Sequence, residues 1–197
     1  PGVFYSDDGQ ILRAMQKARA NGSMIMMHAE NGPAIDVLVK QALERGETDP
    51  IYHGITRPQE LEAEATSRAI WLAAVASDCP LYIVHTTTRE SIQEILKARA
   101  EGVKIYAQTG HHYLTLSQDV WKINVPLRDE NTMDYLWQAL RDGNLDCLGT
   151  DHVDWGMPRE AMDKGNVWET SSGFPSRVES YLPVMLTEGV HKNRISL

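Results

Sequence analysis

The sequence predicts an α/β protein, a (β/α)8 TIM-barrel type of which residues 1–197 supply about half. Two observations carry this. Short apolar runs alternate with amphipathic helical patterns, which implies a parallel sheet with helices packed outside it. No run is followed by a G-x-G-x-x-G turn, which sets aside the open dinucleotide-binding sheet. A complete barrel takes about 250 residues, so the chain is expected to form one partial barrel domain.

The elements follow in order. Asp7-Asp8-Gly9 precedes Ile11, Leu12, Met15 and Ala18 at helical spacing, predicting a helix from about Gln10 to Ala20 that Asn21-Gly22 stops. Ser23 to His28 reads as a buried strand, with Met24, Met26 and Met27 as core filling. Pro33 opens a helix that ends near Arg45-Gly46, and Glu47 to Pro58 is a polar connection with three turn signals. Leu61, Ala65, Ala69, Leu72 and Ala76 form the stripe of a longer helix, and Pro80 to His85 is the next strand. Thr87 or Thr88 caps a helix carrying Ile92, Ile95, Leu96 and Arg99, which Gly102 closes. Val103 to Gln108 is a strand, Thr109 to Asp129 is irregular, and Met133, Leu136, Trp137 and Leu140 mark a helix ending at Asp142-Gly143. Leu145 to Asp151 is the last clear strand. A loop from Asp154 to Pro175 and a helix over roughly Ser176 to Glu188 complete the pattern.

Composition excludes several classes. With 42% hydrophobic and 23% charged residues, the chain is neither disordered nor collagen-like. No apolar run approaches the ~20 residues that span a bilayer, and no signal peptide opens the sequence. A net charge of −8 argues against a nucleic-acid partner, which needs a concentrated basic face. Cys79 and Cys147 lie in apolar segments far apart and read as reduced thiols of a cytoplasmic protein.

Three predicted strands end on a metal-ligand type: His28, His85 and Asp151. In a parallel α/β sheet the strand-to-helix loops gather at the C-terminal strand ends, where function collects. Imidazole and carboxylate suit zinc, and also manganese, iron or cobalt. Spacing alone leaves open both a shared metal site and three separate hydrogen-bonded residues.

The residue types around these ends carry a resemblance. His28-Ala29-Glu30-Asn31-Gly32, Ile51 to Pro58, Val84-His85-Thr86-Thr87, Val125-Pro126-Leu127-Arg128 and Leu148-Gly149-Thr150-Asp151-His152 occur in that order. Together they resemble the dihydropyrimidinase/hydantoinase branch of the cyclic amidohydrolases, over nearly the whole chain. No single motif is specific; the ordered set is.

The resemblance implies a metal-dependent hydrolase of (β/α)8 TIM-barrel type, of which these residues are the later strand–helix units, with two divalent cations, usually zinc. It places His28 and His85 on one metal together with a bridging carboxylated lysine. Asp151 matches the aspartate that binds the other metal and shuttles a proton from a bridging hydroxide. It implies opening of a hydantoin or dihydropyrimidine ring to an N-carbamoyl amino acid. The family's H-x-H motif, its bridging lysine and its oxyanion tyrosine are expected upstream of Pro1, so Tyr5 is not given the tyrosine's role. The 197 residues alone are then expected to be inactive, with a homo-oligomer, dimer or tetramer, formed by the intact protein.

Departures from the family bear on the substrate. Asn124 stands where hydantoinases often have a serine contacting the ring, and Ser172 falls near a usual asparagine contact, which makes both the candidate substrate-binding residues. Gln108 to His112 replaces a Glu-Thr-Cys-Pro-His/Gln run. Allantoinase, dihydroorotase and a non-catalytic assembly relative are the alternatives. Glu30 and Asn31 are read as orienting the His28 loop. His53 is read as hydrogen-bonding, His111 and His112 as loop residues or supports behind the site, His152 either as lining the pocket or as a loop residue, and His191 as solvated. Trp155 and Trp168 are read either as a lid or as loop packing.

Overall fold

The computed structural model describes residues 5–153, 164–170, 172–173 and 177–197. Trp155 and the start of the last predicted helix at Ser176 lie outside them. Four parallel strands, β1 (Ile25–Met27), β2 (Leu81–Ile83), β3 (Ile105–Thr109) and β4 (Cys147–Leu148), pair in the order β1-β2-β3-β4. Each strand lies beside its sequence neighbour, with no reversal of order. That is the progression of a barrel wall rather than of a doubly wound sheet.

Helices α1 (Asp8–Ala20), α2 (Gly32–Glu44), α3 (Ile51–Ile55), α4 (Gln59–Val75), α5 (Arg89–Ala100), α6 (Glu130–Arg141) and α7 (Arg177–Val184) fill the connections, and a π-helical turn covers Met185–Val190. Their ends show why they form. Asp7 accepts from the Gln10 N–H and Gln10 reaches back to Asp7, a reciprocal capping box. Asn31, Thr88 and Asp129 cap α2, α5 and α6 in the same sense, each accepting a backbone N–H three residues on.

The strand register puts Ile25, Met27, Leu81, Ile83, Ile105 and Ala107 on one face, against the helices. Ala65, Ala69, Ile92, Ile95 and Leu136 complete that core and are nearly inaccessible. Met26, Tyr82 and Tyr106 occupy the opposite face. Arg99 ties the sheet below, donating to the carbonyls of Ile105 and Asn144 and pairing with Asp146.

Three expectations are corrected. The polar connection from Glu47 to Pro58 contains α3, whose turn-type residues are held by long-range bonds of His53. Among the described residues, Met24 and Met26 are 44% and 68% exposed rather than packed under the helices, because Met26 lies on the sheet face opposite them. Only Met27 packs on the core. The strand expected over Leu145 to Asp151 pairs only at Cys147–Leu148. Cys79 and Cys147 are free thiols. Among the described residues, no helix is long and apolar enough to cross a membrane.

Candidate metal centre

His28 follows β1 directly, and His85 lies two residues beyond β2 in a left-handed conformation with φ 39°. Parallel pairing of β1 with β2 therefore sets the two imidazoles side by side. His28 Nδ1 and His85 Nε2 are 3.0 Å apart, with the rings 75° from coplanar. Two nitrogens that each bind one zinc ion at its usual bond length and at 90–110° are separated by about 2.9–3.4 Å. The residues present fit a shared divalent cation at this point.

The far side of His28 supports the same reading. Glu30 Oε2 accepts from His28 Nε2 at 2.7 Å. A carboxylate is an acceptor only, so Nε2 carries the proton and Nδ1 can present its lone pair toward His85. This is the carboxylate–histidine arrangement that orients metal-binding imidazoles. Burial lowers the His28 pKa, and the Glu30 hydrogen bond together with the charges of Glu30, Glu62 and Asp151 outweighs it, leaving His28 above its ordinary value. His85 is buried, and burial together with the nearby His28 charge pushes it down to about 3. A neutral ring is the ligand form.

Behind His85 lies a buried ion pair. Glu62 and Arg128 are 3% and 4% exposed and meet at 3.1 Å. Glu62 accepts from the Thr87 N–H at 2.8 Å, from the Thr87 hydroxyl and from Thr88. Arg128 donates to Thr87 Oγ1 and to the Arg57 carbonyl. The loop carrying His85 is thus held from below by charges that water does not reach. Gln108 closes its other side by accepting from the His85 N–H at 3.3 Å. Gly149 leaves room for that side chain, since a Cβ there would sit 1.5 Å from Gln108 Nε2.

A second polar run continues from Glu30. Arg57 Nε stands 3.9 Å from Glu30 Oε1, and Arg57 Nη1 donates to His53 Nδ1 at 3.0 Å. His53 Nε2 then donates to the Ile123 carbonyl at 2.8 Å. The next residue is Asn124, whose N–H donates to Ser172 Oγ at 3.0 Å. The two candidate substrate residues, 48 positions apart, are in contact.

Asp151 lies three residues beyond β4, at φ 47°, and its carboxylate is met by the buried Arg177 at 3.3 Å. Its charge reaches His28, yet among the described residues no three His, Cys, Asp or Glu side chains converge as a cage. His28 and His85 are brought together; Asp151 stands apart from them. Asn31 caps α2 and donates to Glu64 at 2.7 Å. His111 and His112 are buried beside each other, and His111 bonds Ser180 of α7 at 3.0 Å. His152 and His191 are exposed. Trp168 donates to the Glu47 carbonyl, which is loop packing. Arg57, Glu62 and Arg128 were not among the candidates. The signal available was an arginine inside each of two motifs, Ile51 to Pro58 and Val125 to Arg128.

No family model matches the chain. Curated proteins do. A D-hydantoinase of Streptomyces coelicolor is 48% identical over 186 residues, 89% of this chain and 40% of that protein. One from Geobacillus stearothermophilus is 38% identical over 99% of this chain and 43% of that protein. Among solved structures, dihydropyrimidinase from Brevibacillus agri superposes with a TM-score of 0.90 at 36% identity, over 100% of this chain and 44% of the other. L-hydantoinase from Arthrobacter aurescens gives 0.92 at 33%, over 100% and 45%. The chain spans less than half the length of the relatives it matches.

Proposed function

Taking the chain as a homologue of the D-hydantoinases and dihydropyrimidinases, matched along nearly its full length to less than half of theirs, we propose that it carries part of an active site for cyclic amide hydrolysis. The substrate class is a hydantoin or dihydropyrimidine ring, and the product is an N-carbamoyl amino acid. The observation that carries this reading is the facing pair of His28 and His85 nitrogens, with Glu30 on the outer nitrogen of His28.

His28 and His85 are the residues that would hold a divalent cation, with zinc matching the ligand types. Bound there, it supplies a Lewis acid for the ring carbonyl and a lowered pKa for water. Two cations, with a bridging carboxylated lysine from sequence outside these residues, belong to the full proposal. Glu30 fixes the tautomer and direction of His28. Asp151 acts as the general base, collecting the proton of the attacking water and returning it to the leaving ring nitrogen. Arg177 orients that carboxylate from its buried position. Asn124 and Ser172 present the ring to it. The net charge of −8 supports a small-molecule substrate rather than a nucleic acid. The two free thiols support a cytoplasmic setting. A homo-oligomer of the intact protein also belongs to the proposal.

The test is turnover of hydantoin and dihydrouracil by the full-length, zinc-loaded protein. Allantoin and dihydroorotate in the same assay separate the neighbouring activities. Asp151→Asn is expected to lower kcat by about a hundredfold or more. Full turnover in that variant would sink the reading.

A further inference from the structure

Arg57 stands between the two halves of the site, with Glu30 on one side and His53 on the other. Its guanidinium is a rigid fork, so its position relative to one partner fixes its position relative to the others. One edge faces Glu30, which holds His28. The other donates to His53, which holds the Ile123 carbonyl. The direction of each bond is set by chemistry. Arginine cannot accept a hydrogen bond, so His53 Nδ1 must be the acceptor and His53 Nε2 must carry the proton given to Ile123. The run has a single sense, and it is anchored twice. Arg128 holds the Arg57 carbonyl, and His53 is 2% exposed.

We infer that Arg57 and His53 are positioning residues that hold the substrate-side backbone at Ile123–Asn124 in register with the His28–Glu30 pair. The inference rests on the proposed hydrolysis for its meaning, but its geometry is independent of it. Neither residue touches the reacting atoms. Loss of His53 should release the 123–124 segment while leaving His28 and Glu30 in place. Loss of Arg57 should disturb both ends, since the carboxylate loses its counter-charge and His53 loses its donor.

The variants are made in the full-length, zinc-loaded protein. His53→Leu is expected to raise KM for the ring substrate about tenfold, with kcat within about threefold and zinc content unchanged. His53→Gln keeps a donor for Ile123 and an acceptor for Arg57, and should restore KM. Arg57→Met should raise KM and also weaken zinc binding about tenfold. Arg57→Lys, which keeps the charge and loses the fork, should recover zinc binding and not KM. A parental KM in His53→Leu, or a glutamine variant as impaired as the leucine one, overturns the inference. If the parent opens no cyclic amide, the proposed hydrolysis fails on its own account. Amide hydrogen exchange then decides the positioning role. Faster exchange at Asn124 in both His53→Leu and Arg57→Met, with weaker zinc binding only in Arg57→Met, supports it; unchanged exchange at Asn124 overturns it.

Discussion

His28 Nδ1 and His85 Nε2 face each other across 3.0 Å although 57 residues separate them in sequence. Two imidazole lone pairs at that distance repel unless a proton or a cation lies between them. Without a cation, His85 Nε2–H donates to His28 Nδ1, because the Glu30 bond keeps the His28 proton on Nε2; a cation displacing the His85 proton would be held by both nitrogens. Zinc titration followed by calorimetry is therefore expected to show binding that His85→Ala removes. Glu30→Gln should weaken it by about 10–100-fold, the usual effect of removing a carboxylate behind a ligating histidine. Equal zinc affinity in parent and His85→Ala would exclude this pair as ligands.

The Glu62–Arg128 pair makes a second prediction, on stability. Both charges are buried, and removing one strands the other in a medium that cannot solvate it. Arg128→Met should cost about 3–5 kcal/mol in urea denaturation. The double variant Glu62→Leu/Arg128→Met should cost clearly less than the two single changes added together. Simple additivity would show that the two residues do not act as a pair.

His53 links burial to pH. Burial, and then the charge of Arg57, hold its pKa at about 3, against an ordinary value of 6.5. The unfolded chain takes up a proton below pH 6.5 while the folded chain does not until near pH 3. Stability is therefore lost as pH falls through that window, by about 1.4 kcal/mol per unit from this group. Between pH 7 and 5 the loss from His53 amounts to about 2 kcal/mol. Urea midpoints of the metal-free protein at the two pH values should show a smaller difference in His53→Gln than in the parent.

The strand–helix alternation was legible because its signals are local. Asp7, Thr88 and the Ile92/Ile95 stripe act within a few residues of themselves, and the structure uses them as the pattern implies. His28 and His85 were legible through their shared place after an apolar run. What stayed hidden depends on partners far away in sequence. His53 finds Ile123 70 residues on, and Arg128 reaches Glu62 66 residues back. No spacing rule carries those distances. Met26 is hidden for a related reason: an apolar side chain does not say which face of the sheet it occupies.

The contact of Asn124 with Ser172 joins the two candidate substrate residues across 48 positions of sequence. The Ser172 hydroxyl accepts the Asn124 N–H at 3.0 Å, so one hydroxyl holds the backbone of the other candidate. Asn124 is exposed, and Gly173 next to Ser172 is fastened on both sides, donating to the Lys122 carbonyl and accepting from Trp121 Nε1. The serine is thus on a held segment while the asparagine faces solvent. Ser172→Ala removes the acceptor without changing the segment's anchors, and a lost hydrogen bond of this kind is worth about 1 kcal/mol. The expected result is a KM for the ring substrate raised about fivefold, with zinc content and urea midpoint close to parental. Ser172→Thr keeps a hydroxyl and should recover most of the loss. A Ser172→Ala protein with parental KM would remove both residues from the substrate side of the site.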